Sequence, residues 1–591
     1  MGRLVLIVRL VLADLRRHPA QAAMLVLAVT AATATLALGL SLSGASQRLY
    51  DQTRAATAGP DVVALVPGSG PDVTSAMATL AEDPEVVAGN GPYRIVYATL
   101  TVRGLSSNVV VHAAAETPGP VDRPLVTSGH WVRPGGAVVE RGFATALGVG
   151  PGDHVTIAGR SYPVVGIAVT AATSIYPWAA QIGPGGGPSD ATGLVWFTPS
   201  DTRTLAAGNA LPVTTALDLK LRDPDATEAF LDTHHLPGVR ITFHTWQFKA
   251  GQDMVILNDS QPILVVGSWL LGFLAITGVT ALAAGRAAEQ TRRAGLLKAV
   301  GATPGLIAAV LLTEYLALAL LADALGLALA DLTVPAIASP TASRIGDAAG
   351  LTGATVIATT VFAVLVAALS TVRPTLRALR TATVTALTAT AHRPRHRPWL
   401  VALSAMLPTP LLLGLRLTAR RPGRAVLQAC STATTLIAII ALLTFYAQPS
   451  RAYGLSLPNL STEHDRWLLL AVTALVIALA IVNTITFTWT SAMEARANMA
   501  IARTLGATPG QISAGLSTAQ LLPVLSGALA GVPLGIGVYG ILSAGKVIAP
   551  PFSWMLGAVL AILLATAALT ALPARLAARR EVARTLSAET A

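Results

Sequence analysis

The residues able to do chemistry are few, and most lie beside apolar runs. Glu289, Arg292, Arg293 and Lys298 crowd a short helix-prone stretch that ends in Gly301-Ala302-Thr303-Pro304-Gly305. A second copy places Glu494 and Arg503 ahead of Gly506-Ala507-Thr508-Pro509-Gly510. Charges in that pattern suit docking to another protein, through contacts that salt weakens. Elsewhere, no Gly-x4-Gly-Lys-Ser/Thr phosphate loop occurs, so the chain is not its own ATPase, and no His-Glu-x2-His zinc motif is present. His234-His235, just before Pro237, reads as ordinary surface. Cys430 is the sole cysteine, which excludes an internal disulfide and a cysteine metal site. No catalytic, cofactor-binding or metal-ligating residue is therefore assigned. Two ionisable residues fall inside apolar runs. Glu314 lies ten residues past Pro304, near mid-membrane at about 1.5 Å per residue. It is a polar candidate for lining or gating, or a structural residue satisfied inside the bundle; Asp323 reads as the latter.

The elements around these residues give them a mechanical sense. Ala, Leu, Lys and Glu dominate the stretch from Glu289, which favours helix. Gly301 suits a helix C-cap, and Pro304 the first turn of the next helix. The product is a short helix joined to a membrane helix, a lever through which applied force enters the membrane. Only 12 % of residues are charged and 53 % are hydrophobic, which places the chain in the membrane class. The formal charge of +11 does not indicate nucleic acid, because the arginines flank apolar runs. The basic run His392–Arg397 is expected to lie on anionic lipid headgroups.

Eight runs are long enough to span a bilayer: 20–43, 262–285, 304–330, 351–372, 425–446, 467–490, 510–542 and 553–573. Trp399–Leu417 carries arginines on both flanks and reads as an interfacial helix, and residues 3–18 as its counterpart. Arginines concentrate in the loops after spans two, four, six and eight, whereas the opposite short loops carry only Arg344, Arg451, Arg466 and Lys546. The positive-inside rule then places both termini in the cytoplasm. The segment from about 47 to 258 has ordinary polarity, strand-like runs at Arg94–Val102 and His154–Val169, and turns between them. It is expected to fold as a water-exposed domain outside the cytoplasm, with a flexible glycine loop at Gly183–Pro188.

The chain is also internally repeated. The two Gly-Ala-Thr-Pro-Gly copies pair Glu289 with Glu494 and Lys298 with Arg503. Arg373–Ala378 pairs with Leu572–Ala577, and Arg17-His18-Pro19 with Arg420-Arg421-Pro422. Matched topology makes the repeat parallel, about an axis along the membrane normal. The expected fold is thus an α-helical polytopic membrane protein, eight transmembrane helices as two parallel four-helix repeats, with one α+β extracytoplasmic domain.

The pattern Glu-x8-Lys/Arg-x2-Gly-Ala-Thr-Pro-Gly-x-Ile resembles the FtsX-like permeases of ABC transporters, the MacB-type or type VII group. Gly129-His130-Trp131, Ala137–Glu140, Ala146–Val149, Gly152–Val155 and Pro163–Ile167 are similar in order to the core domain of MacB-like permeases. The resemblance implies a cytoplasmic interfacial helix over 1–19, a first span over 20–43 and a MacB-like extracytoplasmic core domain over 44–261. Spans two to four would occupy 262–372, a linker with an interfacial helix 373–424, spans five to eight 425–573, and a cytoplasmic tail 574–591. The second unit departs from the family pattern, since only about 447–466 separates spans five and six. The resemblance implies docking of separate ATPase subunits, two in number, on Glu289–Gly301 and Glu494–Gly506. ATP would bind to the partner, with no cofactor on this chain. The expected function is a plasma-membrane permease subunit that exports or extracts an amphiphilic substrate and also contacts lipids. The alternative is non-transport motion that regulates a cell-wall hydrolase or senses antimicrobial peptides, with an extracytoplasmic effector as partner. An ion-coupled secondary transporter fits less well, because ionisable residues within spans are so few.

Overall fold

The computed structural model describes residues 16, 19–179, 192–209, 211–234, 239–258, 261–285, 303–337, 342–345, 351–380, 408–420, 422–448, 460–494, 506, 508–543 and 547–578. Helix α1 (Pro19–Ala56) leads into a domain of strands β1 (Val62–Pro67), β2 (Val86–Val102), β3 (Leu105–Ala113), β4 (Leu125–Gly129) and β5 (Ala137–Glu140). It continues with β6 (His154–Ile157), β7 (Arg160–Val169), β8 (Thr192–Phe197), β9 (Val213–Leu221) and β10 (Thr242–Thr245). Interleaved are α2 (Pro71–Ala81), α3 (Arg141–Leu147), α4 (Pro199–Asn209), α5 (Thr227–Thr233) and α6 (Trp246–Asn258). The remaining helices are α7 (Gln261–Gly285), α8 (Pro304–Ile337), α9 (Gly353–Arg380), α10 (Thr409–Arg420), α11 (Pro422–Ala447), α12 (Leu460–Glu494), α13 (Pro509–Ser543) and α14 (Phe552–Ala578).

The strands form one sheet in the order β10-β1-β9-β2-β3-β8-β5-β7-β4, with β6 bridging β2 and β7. Most pairs are antiparallel, while β3–β8 and β5–β7 are parallel. Apolar residues occur at consecutive positions because both faces are covered. Val109, Val111, Val195 and Phe197 pack under Phe143 and Leu147 of α3 and Leu205 of α4. Ile95, Tyr97, Val110, Leu194 and Trp196 build a separate core on the opposite face.

Among the described residues, eight helices are long and apolar enough to cross a membrane: α1, α7, α8, α9, α11, α12, α13 and α14. The chain is a multi-pass membrane protein with an α+β domain after its first span. Leu321, Leu329 and Leu332 on α8, and Leu529 and Ile541 on α13, are more than half exposed, as lipid-facing side chains are.

The repeat is visible in the packing. Helix α8 lies along α1, and its equivalent α13 lies along α11. Gly326 of α8 faces Thr33 and Ala34, while Gly531 of α13 faces Ala433 and Leu436. These glycines occupy equivalent repeat positions, and each lets two backbones approach closely. The halves meet chiefly through α7 and α12, themselves equivalent helices. There Gly267 touches Val472, and Gly278 touches Asn483. Each pair joins positions 205 residues apart, the offset that superposes the two Gly-Ala-Thr-Pro-Gly copies. Equivalent residues can touch only where a twofold axis passes between them, so the parallel repeat is a physical pseudo-dyad. Asn483 donates from Nδ2 to the Leu274 carbonyl at 2.9 Å, a polar tie inside this contact.

Candidate functional site

Of the docking residues expected from sequence, Thr303, Pro304, Glu494, Gly506, Thr508 and Pro509 are described. Glu289, Arg292, Arg293, Lys298, Gly301, Ala302, Arg503 and Ala507 lie outside the described residues. Thr303 is exposed and directly precedes α8, which Pro304 opens. Glu494 ends α12, and Pro509 opens α13. Gly506 has φ +93°, the left-handed conformation that a C-terminal cap uses. Thr508 and Gln511 form a reciprocal cap: Thr508 N donates to Gln511 Oε1 at 3.0 Å, and Gln511 N donates to Thr508 Oγ1 at 3.2 Å. The first turn of α13, directly after the second element, is thus capped.

Of the two ionisable residues in the spans, Glu314 is half-buried on α8. Asp323 is buried and accepts from Thr360 Oγ1 at 2.8 Å through Oδ2, while its Oδ1 has no hydrogen-bond partner among the described residues, so it is only partly the satisfied structural residue expected. The glycine loop at 183–188 and the run 392–397 lie outside the described residues. His234 stacks on Phe230 and contacts Asp83 through Nε2 at 2.8 Å, so it serves the surface of the domain. Helix α10, within the expected interfacial segment, packs against α13, with Gly414 against Thr518.

The most elaborate polar site was not among these. It lies where residues 342–345, between α8 and α9, enter the sheet domain. Arg344 is 5 % exposed. Its Nε donates to Asp253 Oδ2 of α6 at 2.7 Å, and Nη2 reaches the same oxygen at 2.6 Å. Nη1 donates to the Thr170 carbonyl, and Nη2 to the Thr173 carbonyl at 2.8 Å. The guanidinium carbon stands 5.1 Å from the ring centre of Tyr50 on α1. One side chain thus ties α1, α6 and the segment after β7 together.

The neighbouring residues complete the joint. Arg141 donates to the Ala342 and Arg344 carbonyls at 2.6 and 2.7 Å. Ile345 N donates to Thr53 Oγ1 on α1 at 3.0 Å, and Tyr176 N donates to Ser343 Oγ at 3.2 Å. Glu140 caps α3, accepting from Gly142 N and Phe143 N at 2.9 and 2.8 Å, which aims Arg141 at the loop. Burial pushes the carboxyls of Glu140 and Asp253 above the usual range. The backbone donors on Glu140 and the charge of Arg344 beside Asp253 pull them back.

A second clamp holds the far end of α1. Arg54 pairs with buried Asp61 and lies 4.4 Å from the ring centre of Trp246. Asp61 Oδ2 also accepts from Leu221 N at 2.9 Å, and Lys220 stands 3.4 Å from Oδ1. The domain is therefore gripped by α1, by α6 leading into α7, and by the loop after α8. Sequence reading counts Arg344 as one weak charge in a poorly charged loop; its partners are distant in the chain, so no local pattern marks it.

Two family models match the chain. The FtsX-like permease C-terminal model covers residues 263–383 and 470–582, one segment in each repeat. The MacB-like periplasmic core domain model covers residues 22–233. No curated protein matches. Among solved structures, the extracellular domain of the noncanonic ABC-type transporter YknZ from Gram-positive bacteria matches at 11 % identity and a TM-score of 0.20. That match covers 31 % of this chain and 98 % of the other.

Proposed function

Because the chain belongs to the FtsX/MacB-like family of ABC transporter permeases, we propose that it couples ATP hydrolysis on separate ATPase subunits to motion of the sheet domain. Two subunits dock on the elements ending at Gly301 and Gly506, one in each repeat. The chain lies in the plasma membrane with both termini cytoplasmic and residues 44–261 on the outer side. Motion of that domain drives export or extraction of an amphiphilic substrate.

The observation that carries this reading is the joint at 342–345. A domain tethered only by its two chain crossings would swing freely on them. Here the loop between α8 and α9 is locked into it by Arg344, Arg141 and Thr53. Helix α8 begins at the first docking element and ends at this loop. A push at Thr303 would travel along α8, at about 1.5 Å per residue, toward the loop that holds the domain.

Crosslinking tests it. In a Cys430→Ser background, Thr303→Cys or Thr508→Cys carrying a short thiol-linked photocrosslinker should capture the ATPase subunit in membranes. Arg103→Cys, on the sheet domain, should not. Capture from Arg103→Cys alone would overturn the reading.

A further inference from the structure

The sheet face that carries Ile95, Tyr97, Val110, Leu194 and Trp196 does not close completely. A cavity of about 40 Å³ remains over it, walled by alternate residues of β1, β2, β3, β8 and β9. Alternation along β9 should continue the apolar wall, yet Asp218 stands on this face two residues after Ala216. Asp218 is 2 % exposed, and its Oδ2 has no hydrogen-bond partner among the described residues. Asp122 also lines the cavity, its Oδ1 accepting from Thr170 Oγ1 at 2.5 Å. A second cavity of about 20 Å³ shares Asp122, His112 and Trp196 with the first and reaches the surface at exposed Ala115 and Pro118.

The charges around this chamber do not balance. Lys249 of α6 is the cation facing both carboxylates, and its Nζ also lacks a hydrogen-bond partner among the described residues. Two carboxylates against one ammonium leave room for one further positive charge. Burial penalises the uncompensated state, pushing Asp218 well up and Asp122 to about 6. A metal ion is a poor match, since no group of three His, Cys, Asp or Glu among the described residues could hold one. Apart from His112, Thr170 and Thr173, the remaining walls are aromatic and aliphatic, Tyr97 and Trp196 among them. Such walls suit an organic cation, whose alkyl part they can cover.

We propose that this chamber binds the protonated amine head of a small organic ammonium compound, with Asp218 and Asp122 as its acceptors and its carbon chain directed toward Trp131 and Pro118. The inner cavity has space for an ammonium head, since its volume exceeds the roughly 10–15 Å³ that a water-sized group needs. The outer cavity takes the start of the tail. Occupancy reaches the membrane through one shared segment. Thr170 and Thr173 line the chamber, and their carbonyls hold Arg344. Binding needs neither ATP nor a partner subunit, so the proposal stands apart from the coupling reading.

Calorimetric titration of the full chain in a maltoside detergent tests it, with empty micelles as the blank. n-Butylammonium is the probe, with n-butanol and butyrate as neutral and anionic counterparts. Butylammonium should bind saturably at one site per chain, while the counterparts should not. Asp218→Asn should weaken binding by about tenfold or more, and Asp153→Asn, on the surface, should leave it unchanged. The comparison of the three probes uses the native chain, so it holds even if Asp218→Asn misfolds. Absence of saturable butylammonium binding, equal binding of butanol, or full affinity in a folded Asp218→Asn would each overturn the proposal. So would displacement by equimolar potassium, which would mark an inorganic cation site.

Discussion

Arg344 and Asp253 are 5 % and 0 % exposed, and each is the other's main compensation. Removing one partner of such a pair leaves a buried charge alone, which costs on the order of 3–5 kcal/mol. Arg344→Ala should therefore lower the melting temperature of the purified chain markedly. Arg344→Ala with Asp253→Ala should recover part of the loss, and strictly additive losses would show that the two do not interact. His244 offers a test against pH. It is 6 % exposed, and neither ring nitrogen has a hydrogen-bond partner among the described residues. Burial, helped by Lys249, lowers its pKa from the usual 6.5 to about 4. At pH 5 the folded ring is neutral while the unfolded ring is charged, so unfolding takes up a proton. Its contribution to stability is present above pH 6.5 and lost as the pH falls toward 4. His244→Phe, which keeps the ring beside Phe248, should raise the melting temperature more at pH 5 than at pH 8. An equal change at both would show that the ring does not titrate in this window.

At the scale of elements, sequence and structure agree where the determinants are local. Pro304 and Pro509 mark helix starts by their own backbone chemistry, and α8 and α13 open at them. The eight spans are legible because each needs only a long apolar run. The α+β domain is legible through Arg94–Val102 and His154–Val169, which occur as β2, β6 and β7 with a turn at Ala158-Gly159. Arg344 and Asp218 are not legible, since the first depends on a tertiary socket and the second on which sheet face its register selects. The two docking elements also differ locally. Gln511 completes the cap at Thr508, whereas Leu306 stands three residues after Thr303 and cannot. Gln511→Ala should loosen the second element, costing about 1 kcal/mol, visible as faster amide exchange at the start of α13. Charge favours the other copy, because Arg292 and Arg293 stand where the second has Ala497 and Asn498. Arg292→Ala with Arg293→Ala should reduce stimulation of the ATPase more at low salt than at high salt, by about 1 kcal/mol at most. Losses that ignore salt, and match those from Glu289→Ala and Glu494→Ala, would mean that shape rather than charge governs docking.

For the whole molecule, the pseudo-dyad between α7 and α12 relates two membrane units, but only the first carries a sheet domain. On the proposed coupling, motion that is symmetric at the docking elements acts on an asymmetric load, fastened at 342–345. That fastening lies outside the domain's own stretch of chain, which gives a test of how the two parts depend on each other. A fragment spanning residues 45–260 contains Asp253, Thr170 and Thr53 but lacks Arg344 and Ile345. Its three largest hydrophobic clusters are complete without the loop, so it should melt cooperatively and without effect of reductant. In the fragment Asp253 loses its guanidinium and regains water, while Ile175 N can still donate to it. Asp253→Asn keeps an acceptor for that donor and removes only the charge. In the full chain the substitution strands Arg344 and should cost about 3 kcal/mol or more, as expected for a broken buried pair. In the fragment it should cost less than about 1 kcal/mol, the range of an exposed charge. Melting the two proteins and their Asp253→Asn variants side by side measures the difference. Equal costs in both settings would mean that the charge of Asp253 serves the domain alone and that Arg344 does not fasten the domain to the membrane helices.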